Sequence, residues 1–517
     1  PSASVSPDGT AVTGKTEPNA KVTVTLPNGD TVTATAGEDG NYTVPLSPAL
    51  TNGEEVKVTA TDKVGNKSAV TSANAPETTE TVFITGREIT ANPTNADIAA
   101  IRDKNKDTPD VTIADNGYIT GDAKNNFVAV GNGSNKGDIS GSMNITNGKI
   151  ETLSGDDTVI VTGKVLGSTI IDVGEGNDTV TANALGDGNG VYNINLGNGN
   201  NQLTIAQGIN AGGKADRGND KYEANRQTWG KITGGDDKDI IKSNDNDVFK
   251  ANIETGAGDD EVTLNIVNTS RPRGTHGLNW TYVDLGEGND KITLVTPFVR
   301  NSRIYGGEGD DILDLSQATF TGNNYAEETR FASSIIDGGN GNDTIILGDT
   351  GGINLNSGNA TPNSYFQVKG GSGNDIVTFV KSYDPAKPTH QGRISGDDGT
   401  DTLKIEGENT SVSLKPGDAG PTDGKEGIYG FEIVDMTSAG SQKVLINLEA
   451  VQNNANADKH LFIKGDASDI IDFGPTGNGL GAFTKTADTT IVDGRSYTAY
   501  TVQDYKIFVD DTITNII

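Results

Sequence analysis

Gly338-Gly339-Asn340-Gly341-Asn342-Asp343-Thr344-Ile345 is the stretch whose reading decides the fold. Its three glycines free the backbone for a tight turn, and the Asp opens a run in which apolar residues alternate. If each copy of this stretch closes one coil of a repeat, residues at fixed offsets from the Asp must match. Taking Asp157, Asp178, Asn201, Asp239, Asp260, Asp290, Asp311, Asp343, Asp375, Asp401 and Asp469 as zero, position −7 reads Ile150, Ile171, Ile194, Ile232, Ile253, Val283, Ile304, Ile336, Val368, Ile394 and Phe462. Position +2 reads Val159, Val180, Leu203, Ile241, Val262, Ile292, Leu313, Ile345, Val377, Leu403 and Ile471. Both columns are apolar throughout, and +4 is mostly so, as in Leu264, Leu294, Leu315, Leu347 and Phe379, with Ser243 the exception. Apolar residues at period two on both sides of a glycine turn mean strand, turn, strand.

Up to Asp401 the interval between zeros runs from 21 residues (Asp157 to Asp178) to 38 (Asn201 to Asp239), after which the motif lapses for 68, so the window from −7 to +4 is constant and the remainder is loop bulging from one side of a stack. Eleven coils at a strand spacing of about 4.8 Å give a rod about 50 Å long. Composition agrees. Only 33% of the 517 residues are apolar while 68 are Gly, which suits a narrow core filled by a few columns. A net charge of −31 disfavours nucleic acid and anionic membranes as partners and favours a divalent cation. Cysteine is absent, so rigidity cannot come from disulfides, and no run of about 18 apolar residues offers a membrane span. The chain begins at Pro1 without a signal peptide, as a fragment of something longer would.

Residues 1–76 alternate Thr/Val-rich strands with turns, as in Ala20-Lys21-Val22-Thr23-Val24-Thr25-Leu26, Pro27-Asn28-Gly29-Asp30 and Thr31-Val32-Thr33-Ala34, which argues a small β-sandwich. The order Thr13-Gly14-Lys15-Thr16, Asn19-Ala20-Lys21-Val22, Gly40-Asn41-Tyr42 and Thr61-Asp62-Lys63-Val64-Gly65-Asn66 resembles the bacterial Ig-like repeats of large surface adhesins. Gly9 to Thr16 also fits the spacing of a phosphate-binding loop. That chemistry needs a helix beginning at the lysine, and Glu17-Pro18-Asn19 forbids one. Residues 77–125 read as a junction with a linker start, Ala75-Pro76-Glu77-Thr78-Thr79, and a short capping helix over Asn95 to Arg102. The solenoid is placed at 126–425 and its C-terminal end at 426–517.

The turn also carries chemistry. Gly-Gly-x-Gly-x-Asp-x-U-x, with U a large apolar residue, resembles the calcium-binding repeat of RTX proteins. Calcium takes six to eight hard oxygen ligands, and glycines let carbonyls turn inward while Asp supplies charge. The resemblance implies Ca2+ as cofactor, held by Asp157, Asp178, Asp239, Asp260, Asp290, Asp311, Asp343, Asp375, Asp401 and Asp469. It adds Gly307, Gly309, Gly339, Gly341, Gly371 and Gly373 in the full double-glycine copies that begin at Gly306, Gly338 and Gly370. Asn201 removes a charge, and Asp237 stands where the last glycine before Asp239 belongs, so both positions should bind more weakly. RTX repeats recur every nine residues, whereas one motif per coil allows a single row of ions. The alternative is that the turns close unaided, with Asp side chains bonding backbone amides.

Trp229 and Trp280 both fall at −10, as does Tyr365, and with Arg271, Arg273, His276 and Tyr282 they could form a glycan-binding patch. The alternative is that the loops fold back over the rings. Three scattered histidines, no His-Glu-x-x-His and no Gly-x-Ser-x-Gly leave little case for an enzyme, though β-helices do carry glycan-processing enzymes. Beyond Asp401, Gly427-Ile428-Tyr429-Gly430-Phe431-Glu432, Val444-Leu445-Ile446-Asn447-Leu448 and the segment from Val492 to Ile513 look like the C-terminal end of giant RTX adhesins exported by type I secretion. That resemblance implies an exporter as partner, a secreted or cell-surface location, and a monomeric rod acting in adhesion or biofilm formation toward host or matrix glycans or proteins. The apolar end at Ile513, Ile516 and Ile517 could equally form a closing strand.

Overall fold

Val22, Val24, Val56 and Val58 alternate with Lys and Thr residues, and that period of two builds the first of two compact units, Pro1–Thr81. The structure is a computed structural model. It describes the chain apart from residues 7–8, 48–49, 51–53, 76–80, 86–88, 91–111, 114–117, 122–124, 132–138, 189, 212–221, 245–246, 268–276, 321–333, 350–365, 385–391, 416–426 and 475–481, and structural statements below concern the described residues. In the first unit, Thr31–Thr35, Lys21–Thr25, Glu55–Thr61 and Thr71–Asn74 form one antiparallel sheet; Ser4–Val5, Ala11–Lys15 and Asn41–Pro45 form the other. Val12, Val22, Val24, Tyr42, Val44, Val56 and Val58 share its core. Ala11–Lys15 is a strand with Lys15 exposed, so the phosphate-loop spacing lies in a sandwich sheet.

The second unit, Val82–Ile517, is the solenoid. The −7 residues lie in a thirteen-stranded sheet that is parallel from Tyr118–Thr120 to Gly427–Tyr429. The +2 residues lie in a second sheet whose coil strands, from Asn126–Val130 to Ile433–Asp435, also pair in parallel. Register is kept residue for residue. Ile304 pairs with Ile336, and Ile336 with Val368. Leu313 pairs with Ile345, and Ile345 with Val377. Side chains at −7 and +2 from Ile150 to Leu403 are fully buried in one continuous core. Each contributes about 1.5–3 kcal/mol relative to exposure, so these columns hold the stack together irrespective of any ion. Volume is traded between coils: a Cβ on Gly230 would strike the Tyr192 ring, and one on Gly392 the Phe366 ring.

Three positions revise the coil register. Asn126 is a zero that the motif does not reveal, because Ile119 pairs with Ile150 and Val128 with Val159. Asp469 is not a zero of this stack. Phe462 pairs with Ile433 in the second sheet, and Ile471 pairs with Val444 in a separate parallel sheet made of Ser411–Ser413, Lys443–Leu445, Ile470–Asp472 and Asn515–Ile516. Period-two alternation marks a strand face without saying which sheet it faces, and on that strand Leu461 and Ile463 are the buried residues. Glu432 takes the zero place after Asp401. Ile428 pairs with Ile394 and Val434 with Leu403, so the turn between −7 and +2 shortens from nine residues to six.

Parallel stacking continues into the C-terminal end of the solenoid. His460–Lys464 pairs with Ile433–Asp435, and Tyr505–Asp510 with His460–Lys464. Arg495–Val502 and Thr484–Val492 then add antiparallel strands. Helix Leu448–Asn454, capped by the Asn447 side chain accepting from the Ala450 amide, packs Val451 into the core. Asn515–Ile516 is a closing strand on Ile470–Asp472. The expected helix at Asn95 to Arg102, and most of the expected bulging loops, lie outside the described residues.

Candidate functional site in the glycine turns

Each coil turns between the two sheets at positions −4 to −1. The glycines at −4 and −2 hold positive φ: +121° and +127° at Gly307 and Gly309, +115° and +131° at Gly339 and Gly341, +121° and +136° at Gly371 and Gly373. A Cβ on Gly339 would drive into the Gly307 carbonyl, and one on Gly341 into the Gly309 carbonyl, so stacked turns approach too closely for any side chain. Where glycine is missing the register still imposes the conformation: Leu153 has φ +76° and Asp397 has φ +72°.

Two ladders of opposite sense run along this edge. At zero, carboxylate Oδ1 accepts from the backbone amide of the zero residue one coil earlier, except at Asp239, where the Asn201 amide donates instead to the Lys238 carbonyl. Asp260 accepts from Asp239 at 2.7 Å, Asp290 from Asp260 at 2.7 Å, Asp311 from Asp290 at 2.8 Å, Asp343 from Asp311 at 2.9 Å, Asp375 from Asp343 at 2.8 Å and Asp401 from Asp375 at 2.8 Å. Asp157 accepts from Asn126 and Asp178 from Asp157, while Glu432 ends the column by accepting from Asp401. At −1, on the exposed side, Asn or Asp Oδ1 accepts from the −1 amide one coil later at most steps, as in Asn342 from Asn374 (2.9 Å) and Asp310 from Asn342 (2.7 Å). The expected turn bonding is thus present, strung between coils.

In most Asp coils one oxygen is left over. Oδ2 of Asp178, Asp260, Asp290, Asp311, Asp343, Asp375 and Asp401 is buried with no hydrogen-bond partner. A buried acceptor in that state costs about 1–3 kcal/mol, more when charged. Burial is the main cause that pushes these carboxyls up: to about 6 at Asp260, Asp311 and Asp375, about 7 at Asp239, Asp343 and Asp401, and about 8 at Asp178 and Asp290. In the double-glycine copies a second acceptor faces the first. A Cβ added to Gly338 would meet both Asp343 Oδ2 and the Gly370 carbonyl oxygen of the next coil. Gly306 and Gly370 repeat this with Asp311 and Gly338 O and with Asp375 and Gly396 O, and Gly396, followed by Asp397 instead of a second glycine, does so with Asp401 and Gly430 O.

The two asparagines show what this place asks for. Asn201 keeps the ladder through Oδ1, which accepts from Asp178, while its Nδ2 donates to the Gly199 carbonyl at 2.8 Å and the Gly197 carbonyl at 3.2 Å. Asn126 Nδ2 donates to the Thr152 carbonyl of the next coil at 3.2 Å. A donor amid carbonyls is satisfied there; an Asp presents a further acceptor. One carboxylate oxygen surrounded by carbonyls, in a niche kept open by glycine, is a hard-oxygen donor set that fits a divalent cation. The carboxylates do not pool: among the described residues no three His, Cys, Asp or Glu side chains converge as a metal cluster. Asp469 stands apart, since its Oδ1 accepts from Gln442 at 2.9 Å and its Oδ2 from Asp466 at 2.7 Å.

The aromatic residues form a cluster of their own outside the solenoid core. Tyr222, Trp229 and Tyr282 are buried together, with Trp280 and Tyr305 packed against them. Tyr222 lies on the short helix Tyr222–Arg226 and stacks on Trp280 at 6.1 Å; Arg226 sits 3.9 Å from the Tyr282 ring centroid and Arg303 sits 4.0 Å from that of Tyr222. The helix Tyr222–Arg226 lays the Tyr222 ring against both tryptophans, and Trp229 is only 1% exposed. Arg271, Arg273 and His276 lie outside the described residues.

In the first unit the turn carboxylates serve the backbone. Asp62 accepts from the Val64 and Asn66 amides at 2.9 Å, and the Tyr42 hydroxyl donates to the Ser2 carbonyl. Residues 1–77 match the family model of the bacterial Ig domain. A bacterial Ig domain is typical of surface or extracellular proteins. Within this one, Asp39 and Asp62 are held below the usual carboxylate range by bonds from Asn41 and Asn66, so both are turn closers. No curated protein matches the chain. Among the described residues no helix is long and apolar enough to cross a membrane.

Proposed function

We propose that the chain is part of a secreted bacterial cell-surface adhesin, in which the bacterial Ig domain precedes a calcium-stabilised solenoid rod. The observation that carries this reading is the column of buried Asp oxygens left without a hydrogen, strongest where glycine at −5 sets Oδ2 against a carbonyl. Calcium when bound supplies positive charge and accepts those oxygens as ligands. The chain supplies one carboxylate per coil, places it through the Oδ1 ladder, and keeps the niche open with glycine. A single carboxylate per ion gives weak affinity, suited to the millimolar calcium outside cells. The role is mechanical rather than catalytic, and export by a type I exporter follows from the C-terminal resemblance.

Thermal unfolding of the whole chain by far-UV circular dichroism, in millimolar calcium and in EGTA, tests this. A large fall in melting temperature in EGTA is expected; identical melts would remove calcium from the account.

A further inference from the structure

The column is not uniform along the rod, and the differences track the residue at −5. Its side chain points toward the core corner beside Oδ2. In the coils of Asp311, Asp343, Asp375 and Asp401 that residue is Gly306, Gly338, Gly370 and Gly396, and the corner is an open niche walled by Oδ2 and the next coil's carbonyl. These four coils are consecutive.

Toward the N-terminus the same corner is filled in other ways. Thr152 donates its hydroxyl to the Val173 carbonyl at 2.9 Å, and Thr255 donates to the Leu285 carbonyl at 2.5 Å, so the facing carbonyl is already bonded. Val173 and Leu285, both fully buried, occupy the corner in the coils of Asp178 and Asp290. Asn126 and Asn201 bring their own donors. In the isolated Gly234 coil the two oxygens exchange roles: Asp239 Oδ2, beside the Thr255 carbonyl, accepts from the Gly235 amide at 3.2 Å, and the unpartnered oxygen is Oδ1, away from that corner.

Resting on the calcium reading, we infer that the cation-dependent part of the rod is the single block from Gly306 to Asp401; Asp178, Asp260 and Asp290 also keep an unpartnered Oδ2, but a side chain at −5 fills the corner beside it or bonds the facing carbonyl, so those coils offer no open cation niche. The residue at −5 is the selector wherever Oδ2 is unbonded: glycine then leaves a cation niche, while threonine or a larger apolar residue abolishes it. The rod is thereby divided into a metal-independent N-terminal half and a metal-gated C-terminal half, the half nearer the end that leaves the cell first if export proceeds from the C-terminus.

Peptide-resolved hydrogen exchange on the full chain, in calcium and in EGTA, separates the halves. In EGTA, amides of Thr344–Asp349, Ile376–Phe379 and Thr402–Ile405 should lose about tenfold or more in protection while Thr158–Leu166 and Gln202–Ile205 change little. Equal loss in both halves would overturn the division while leaving calcium dependence intact; no loss anywhere would overturn both. A second pair of variants guards against simple misfolding. Asp343→Asn should raise protection of its own coil in EGTA, as Asn201 does natively, and Gly338→Thr should reduce the calcium response of that coil. If Asp343→Asn in EGTA is less protected than the parent, the donor argument fails.

Discussion

The turns at Asn201 and Asp343 share a glycine backbone and differ in one atom of the zero side chain and in the residue at −5, Leu196 against Gly338. Both have glycine at −4 and −2 with positive φ, both keep Oδ1 on the amide of the preceding coil, and both seat apolar residues at −7 and +2 in the core. At Asn201 the second side-chain atom is a nitrogen that donates to Gly199 and Gly197. At Asp343 it is an oxygen with nothing to accept from. The coil geometry therefore comes from glycine and the apolar columns, and the ion-binding property comes from a mismatch that the same geometry buries.

The largest expected effect erases the difference between them. Gly199→Ala and Gly341→Ala each place a Cβ against a carbonyl of the preceding coil at φ +111° and +131°. Each should cost about 3 kcal/mol or more in a thermal melt, equally with and without calcium. A calcium-dependent cost at only one of the two would show that their backbones are not equivalent.

Exchanging the atom comes next. In EGTA, Asp343→Asn should stabilise by about 1–2 kcal/mol and Asn201→Asp should destabilise by about as much, since one gains and the other loses a donor among buried acceptors. Calcium should narrow the first difference. Denaturant titrations of both variants measure it.

Acidity offers a third handle. The folded-state values of the buried carboxyls lie at about 6 (Asp311, Asp375), 7 (Asp343, Asp401) and 8 (Asp178, Asp290), all above the ordinary 3.8, chiefly through burial. The folded state thus binds protons more tightly than the unfolded chain, so their contribution is fully present below pH 3.8 and is lost as pH rises through 6 to 8. In EGTA the melting temperature should fall from pH 6 to pH 8; in saturating calcium that fall should shrink, because the ion takes the proton's place. A metal-free melt flat across this window would place the carboxyls outside the folding balance.

The smallest effect concerns what the turns share. Asn177 accepts from the Asn200 amide at 3.0 Å and Asn342 from the Asn374 amide at 2.9 Å, both exposed. Replacing either with Ala should cost about 0.5–1 kcal/mol, independent of calcium.

Most of the fold was legible in the sequence because an apolar column survives any loop length between its members. The misreadings have physical causes. Asn126 hides because its turn lacks the glycine signature, Gly121 being followed by Asp122-Ala123-Lys124-Asn125. Phe462 satisfies the −7 pattern although it pairs in the other sheet. Glu432 closes a turn three residues shorter, where a longer side chain still reaches the Asp401 amide. At the candidate site the Asp column was legible, whereas the orphaned oxygen was not, since it arises only when the next coil lays a carbonyl against it. Asn201 looks from the sequence like a weakened site; in the fold it is a turn whose hydrogen bonds are complete.

Equilibrium dialysis of calcium against the full chain and against the variant carrying Asp311→Asn, Asp343→Asn, Asp375→Asn and Asp401→Asn tests the central claim most directly. The parent should bind calcium at millimolar concentration and the variant, folded to the same far-UV spectrum, should lose most of it. Equal binding by both would contradict the placement of the ion at the buried Asp oxygens.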